Sequence, residues 1–127
     1  MPRILIADDD EQIRRLLREI LERAGHHVVE AADGEEALLA CCQHRPDVLI
    51  IDLIMPRKEG LGTIIEAKRA HPAGKVIAIS GGGRSGPDCY LQMARCLGAE
   101  RALAKPFRPD ELVQMVEDLL GEAAAQA

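Results

Sequence analysis

The apolar run Ile4-Leu5-Ile6-Ala7 opens directly into three acids, Asp8, Asp9 and Asp10, and a second run, Val48-Leu49-Ile50-Ile51, also ends in an acid, Asp52. If the two runs are neighbouring parallel strands, their carboxyl ends meet on one edge of a sheet, where open α/β sheets place their ligands. Several carboxylates then share one small pocket. Two like charges about 4 Å apart repel by roughly 4 kcal/mol at an effective dielectric near 20, so such a cluster calls for a cation or for raised pKa values. A hard, oxygen-seeking divalent ion suits this donor set. Mg²⁺, held by one or two carboxylates with positions left for water and phosphate oxygens, fits it better than zinc.

The rest of the chain repeats the strand-then-helix pattern. Ile13, Leu16, Leu17, Ile20, Leu21 and Ala24 recur at helical spacing, Asp10 is placed to cap that helix and Gly25 to stop it. His27 to Ala31 reads as a second strand. After the Asp33-Gly34 turn, Glu35 to His44 carries Ala37, Leu38 and Cys41 at helical spacing, and Arg45-Pro46-Asp47 ends it before the buried strand 48–52. A third helix is expected from about Leu61 to Ala70, a fourth strand over Lys75 to Ser80, and a helix near Pro87 to Leu97 after the Gly81-Gly82-Gly83 loop. Arg101 to Ala104 is the last strand. Pro109 opens the last helix, whose face is Leu112, Val113, Val116, Leu119 and Leu120. Strands that alternate with helices imply a parallel sheet covered on both sides, because parallel strands need crossover connections.

With 127 residues and 47% hydrophobic content, one domain with a real core is expected, spanning residues 1–121, with 122–127 as a short frayed tail. A net charge of -5 without a Lys/Arg run argues against nucleic acid as a partner and for another protein. No stretch has the length of a membrane span or the layout of a signal peptide, so a soluble, cytoplasmic protein is expected. Cys41, Cys42, Cys89 and Cys96 form no CxxC pair and read as reduced packing residues, and His26, His27, His44 and His71 fall at element ends and read as surface residues.

Four separated signals stand in order: the acids Asp8 and Asp9, the segment Asp52-Leu53-Ile54-Met55-Pro56, the strand end Ser80-Gly81, and Lys105-Pro106-Phe107. Together they resemble the response-regulator receiver domain of bacterial two-component signalling, over essentially Arg3 to Leu120. The resemblance implies a flavodoxin-like (βα)5 fold with a doubly wound, five-stranded parallel sheet. It makes Asp52 the nucleophile that takes a phosphoryl group from a sensor histidine kinase or a histidine phosphotransfer protein. Asp9 and Asp52 would hold Mg²⁺ by their side chains, Ile54 by its backbone carbonyl, and Asp8 directly or through water. Lys105, Ser80 and the Gly81 N–H would hold phosphoryl oxygens. The Lys105-Pro106 bond is expected to be cis. A kinase would dock on helix one and the loop after Lys105, where Arg14, Arg15 and Arg18 read as simply solvated. On this reading the chain is a stand-alone signalling domain, not an enzyme with a separate substrate; it promotes its own phosphorylation and slow dephosphorylation and signals by protein contact.

Two departures qualify the resemblance. Receivers usually carry an aromatic residue three positions before the lysine, and here Ala102 stands there, so the Gly81 to Gly86 loop is expected to carry any rearrangement instead. The residues two after Asp52 and two after Ser80 are Ile54 and Gly82, which offer no polar side chain to a hydrolytic water, so a long-lived phosphoaspartate is expected. Three other readings fit less well. A phosphohydrolase of the haloacid-dehalogenase type carries a second acid where Ile54 stands. A docking module that is never phosphorylated has no need of the set Asp9, Asp52, Ser80 and Lys105. A nucleotide binder wants a phosphate-cradling loop where the acids lie.

Overall fold

The structure, a computed structural model, describes residues 2–53, 60–80 and 87–126. Five strands and five helices alternate: β1 (Arg3–Ala7), α1 (Glu11–Arg23), β2 (His27–Ala31), α2 (Gly34–His44), β3 (Val48–Asp52), α3 (Gly60–Ala70), β4 (Lys75–Ser80), α4 (Pro87–Cys96), β5 (Arg101–Ala104) and α5 (Pro109–Gln126). The strands form one parallel sheet in the order β2-β1-β3-β4-β5. This is the doubly wound architecture expected from the sequence. Because β1 leads outward to β2 and the chain then returns to β3 on its other side, the switch point lies between β1 and β3, the two strands that end in acids.

Side-chain alternation divides the sheet into two cores. Leu5, Leu49, Ile51 and Val76 face α2 and α3 with Cys41, Ile64 and Ala67. Ile4, Ile6, Ile50 and Ile77 face α1 and α5 with Leu17, Leu21, Leu112 and Val116. Because both faces are covered, β1 needs apolar residues from Ile4 to Ala7 and β3 from Val48 to Ile51, which is why their sequences read as runs and not as alternations. Among the described residues no helix is long and apolar enough to cross a membrane.

Helix ends are fixed by local chemistry. Asp10 Oδ1 accepts the Gln12 N–H at 2.9 Å and Asp33 Oδ1 accepts the Glu36 N–H at 2.9 Å, so both acids are N-caps. After Ala24, Gly25 takes φ +97°, its N–H bonds Glu22 O at 3.0 Å, and the His26 N–H bonds Leu21 O at 3.1 Å. This pair of bonds is a Schellman motif, whose residue after the glycine turns inward onto the helix's last turn.

That motif corrects one expectation. His26 is buried, not on the surface, and its Nε2 meets Glu117 Oε1 of α5 at 3.0 Å. His71 is half-buried as well and donates from Nε2 to Pro46 O at 2.9 Å, while His27 is exposed. Cys41 packs in the core, and burial pushes its thiol up to about 11, with the neighbouring Cys42 adding to the effect. Cys42 and Cys96 instead lie exposed. α5 runs through Gln126, and Glu122 to Gln126 are strong helix formers that prolong an established helix at little cost.

Candidate functional site

Strand ladders run slightly past the strand ends and carry the chemistry with them. Asp8 N–H bonds Ala31 O at 3.1 Å, Leu53 N–H bonds Ile79 O at 2.9 Å, and Lys105 N–H bonds Ser80 O at 2.9 Å. The carboxyl ends of β1, β3, β4 and β5 thereby gather Asp8, Asp9, Asp52, Ser80 and Lys105 on one edge. One carboxylate oxygen each from Asp8, Asp9 and Asp52 lies within 4.8 Å of the other two. Asp8 and Asp52 are buried and Asp9 is exposed at the pocket mouth. Lys105 Nζ donates to Asp52 Oδ2 at 3.2 Å and approaches Asp8 Oδ2 at 3.5 Å.

The electrostatics match the donor set. Burial, first of all, holds the Asp8 carboxyl above its ordinary range; the Asp10 N–H pulls it down at 2.9 Å, Asp52 pushes it up, Lys105 pulls it down and Asp9 pushes it up. Lys105 shows the complementary balance. Burial pulls its ammonium down, but Asp52 and Asp8 together outweigh that and leave it raised, so it stays charged at neutral pH. Among the described residues three carboxylates stand against one ammonium, and the candidate ligand atoms are hard oxygens, which suits Mg²⁺. Ser80 is fully buried, and its Oγ has no hydrogen-bond partner among the described residues. A buried hydroxyl without a partner costs free energy unless a ligand supplies one.

Gly60 opens α3 against the end of β3. Its N–H bonds Leu53 O at 3.2 Å, and a Cβ there would fall 2.5 Å from Leu53 Cα and 2.7 Å from Asp52 O. Only a residue without a side chain lets the helix come this close to the backbone of Asp52. The Lys105-Pro106 bond is cis, as the resemblance implied. Ile54, Gly81 and Gly82, and with them the 81–86 loop, lie outside the described residues.

Sequence reasoning missed two contributors. Gly60 gave no signal that set it apart from other glycines. Arg14, read as solvated, is held at the site: its Nη1 donates to the Asp8 backbone carbonyl at 2.7 Å and its Nε to Glu30 Oε1 at 3.2 Å. The available signal was Glu30 itself, an acid among Val28, Val29 and Ala31 of β2, which calls for a cation from the helix packed on it.

Comparison with known proteins agrees with this geometry. A family model described as the response regulator receiver domain matches residues 4–117. The transcriptional regulatory protein CpxR of Klebsiella pneumoniae is 37% identical over 120 residues, which cover 94% of this chain and 50% of that protein. The transcriptional regulatory protein PdtaR of Mycobacterium tuberculosis is 36% identical over 118 residues, covering 91% of this chain and 55% of its own length. The chain therefore spans about half the length of these curated relatives. Among solved structures, a response regulator receiver domain protein from Clostridium thermocellum matches with a TM-score of 0.92 at 26% identity over 100% of both chains. NtrX from Brucella abortus matches with a TM-score of 0.90 at 31% identity over 98% of this chain and 28% of that one. A match over residues 4–117, on a β2-β1-β3-β4-β5 sheet with acids at its carboxyl edge, makes this chain a member of the response regulator receiver domain family of two-component systems.

Proposed function

We propose that this receiver domain accepts a phosphoryl group on Asp52, with Mg²⁺ as cofactor, from a histidine of a sensor kinase or a phosphotransfer protein. The observation that carries this reading is the convergence of Asp8, Asp9 and Asp52 within 4.8 Å, with Lys105 on Asp52 and the buried Ser80 hydroxyl on the same edge. In the transfer an oxygen of the Asp52 carboxylate attacks the phosphorus of a phosphohistidine. The new O–P bond forms as the P–N bond breaks, and the imidazole leaves with the electron pair and takes a proton from solvent. Lys105 and Ser80 donate hydrogen bonds to phosphoryl oxygens, so each meets charge that grows during the step. Asp8, Asp9, Asp52 and the Ile54 carbonyl would hold the metal. When bound, Mg²⁺ neutralises charge on the acid cluster and on the phosphoryl oxygens.

A docking place for the donor lies next to the acceptor. Ile13, Leu16 and Ile20 of α1, together with Pro106, Phe107 and Lys105, line an open, mostly apolar groove of about 270 Å³. Leu16 is 53% exposed, so the outer part of the α1 apolar stripe is left uncovered by the core. An apolar helix face there suits a partner helix. The domain works in the cytoplasm as a signalling module that catalyses its own modification and acts on no other substrate. It passes the signal on by protein contact.

The test is intact mass after incubation with acetyl phosphate, with and without Mg²⁺, for the wild type and Asp52→Asn. One Mg²⁺-dependent phosphoryl adduct of the wild type, lost in the variant, is expected. An adduct that survives in Asp52→Asn, or none at all despite Mg²⁺ binding, overturns the proposal in favour of an unphosphorylated docking module.

A further inference from the structure

Asp8 and Asp9 are neighbours in sequence, yet their carboxylates reach one pocket together with Asp52. In an extended strand successive side chains point to opposite faces. The peptide that joins the two acids must therefore leave strand geometry, and β1 does end at Ala7. Past the end of the ladder, no strand N–H among the described residues bonds the Asp8 carbonyl, and another donor must fix the plane of the peptide that aims Asp9. Arg14 supplies it from the first turns of α1, with Nη1 donating to that carbonyl at 2.7 Å. Other contacts hold the Asp8 N–H, on Ala31 O at 3.1 Å, its Oδ1, on the Asp10 N–H at 2.9 Å, and its Oδ2, near Lys105 Nζ at 3.5 Å.

A bare guanidinium beside an acid cluster would compete with a cation. Here its charge is cancelled where it stands. Arg14 Nε donates to Glu30 Oε1 at 3.2 Å, Arg18 Nη1 takes Glu30 Oε2 at 2.7 Å, and Arg18 Nε pairs with Glu22 at 3.4 Å. Two arginines and two glutamates form a neutral chain from α1 to β2. The Arg14 side chain is only 15% exposed and that of Glu30 26%, so the clamp is shielded, whereas Arg15, one position on, is 71% exposed and pairs with Glu11 of its own helix.

We propose that Arg14, clamped by Glu30, is a positioning residue that fixes the Asp8–Asp9 peptide so that both carboxylates stay aimed at one divalent cation. It orients the ligands without opposing the ion's charge. This role rests on the reading of the acid cluster as a Mg²⁺ site, and groups that orient metal ligands in this way commonly change affinity by about 10–100-fold when removed.

The experiment compares Mg²⁺ dissociation constants, by calorimetry and by amide chemical shifts of residues 8–10, for the wild type, Arg14→Gln, Arg14→Lys, Glu30→Gln and Arg15→Gln. Thermal unfolding in EDTA is measured alongside. Arg14→Gln is expected to weaken Mg²⁺ binding about tenfold while the metal-free protein stays folded. Its phosphorylation by acetyl phosphate should need more Mg²⁺ but reach a similar plateau. Arg14→Lys should recover part of the affinity, because an ammonium can reach the carbonyl but cannot span carbonyl and Glu30 as a fork does. Glu30→Gln should weaken binding by leaving the guanidinium uncancelled, and it carries the test if Arg14→Gln does not fold. Arg15→Gln should match the wild type. Affinity of Arg14→Gln and Glu30→Gln within twofold of the wild type, or an equal loss in Arg15→Gln, overturns the positioning role alone. Absence of Mg²⁺ binding by the wild type overturns the cation-site reading and this role with it.

Discussion

The two edges of the sheet spend their charges in opposite ways. At the amino edge, several charges hold the backbone or an opposite charge. Arg3 N–H meets Asp47 Oδ2 at 2.8 Å, Lys68 Nζ takes Gly74 O at 2.9 Å and also Glu100, and Glu100 Oε2 accepts the Val76 N–H at 2.9 Å. At the carboxyl edge three carboxylates lie within 4.8 Å of one another, two of them meet one ammonium, and a buried hydroxyl has no partner among the described residues. Loops of similar length can serve either purpose. The amino edge is built for stability, and the carboxyl edge, among the described residues, gathers more negative than positive charge, as a cation site does.

The largest difference is expected from the same glycine replacement at each edge. In Gly60→Ala the new Cβ meets only backbone, Leu53 Cα at 2.5 Å and Asp52 O at 2.7 Å, so α3 or the end of β3 must shift. A loss of about 1–3 kcal/mol is expected from such overpacking, together with a clear drop in Asp52 phosphorylation. In Gly74→Ala the nearest atom is His71 Cδ2 at 2.7 Å, on a ring that can turn aside at the cost of its bond to Pro46 O, about 1 kcal/mol. Urea titration of the two variants checks this. Equal destabilisation, or Gly60→Ala with unchanged phosphorylation, would mean that the close approach of α3 does not set the position of Asp52.

Next in size is removal of one carboxylate charge at each edge. Glu100→Gln takes a shielded partner from Lys68 and is expected to destabilise by about 1–2 kcal/mol. Asp8→Asn, studied in EDTA, keeps an oxygen for the Asp10 N–H while relieving burial of a charge and repulsion from Asp52 and Asp9. It is expected to stabilise by up to about 1 kcal/mol while losing Mg²⁺ affinity. Stability changes of the same sign at both edges would show that the carboxyl edge is as well compensated as the amino edge.

What the sequence reveals follows the range of the interactions concerned. The strands were legible because a strand covered on both faces needs apolar residues along most of its length, Asp8, Asp9 and Asp52 because acids follow two apolar runs, and Ser80 and Lys105 through their order within the receiver resemblance. Those signals are local. His26 looked like a turn residue, since its partner Glu117 lies 91 residues further along and only the α1–α5 packing brings them together. Arg14, Arg15 and Arg18 look alike in sequence; which of them reaches the site depends on Glu30 in β2. The outer apolar stripe of α1 overstated burial, because a pattern of 3.6 residues cannot say where the core ends and a groove begins.

The smallest effect expected is a pH dependence seen in EDTA, and its sign reverses once the metal is added. Burial and the neighbouring carboxylates hold the Asp8 carboxyl above its ordinary range in the folded chain, so the folded state binds that proton more tightly than the unfolded state. The ionised form therefore costs stability above the raised pKa. That cost is relieved as pH falls through it and is gone below the ordinary aspartate value, so stability in this window falls as pH rises. Other acids titrate nearby, and the quantity to measure is the stability of the wild type minus that of Asp8→Asn across this window. In EDTA the deficit of the wild type should shrink as the pH is lowered. With saturating Mg²⁺ the ion binds only the ionised cluster and stabilises by RT ln(1 + [Mg²⁺]/Kd), about 2.7 kcal/mol at a hundredfold excess over Kd, so the wild type should lead at neutral pH and lose that lead on acidification. A difference that ignores pH in EDTA would place Asp8 among the compensated charges, and one that Mg²⁺ leaves unchanged would remove it from the metal's ligands.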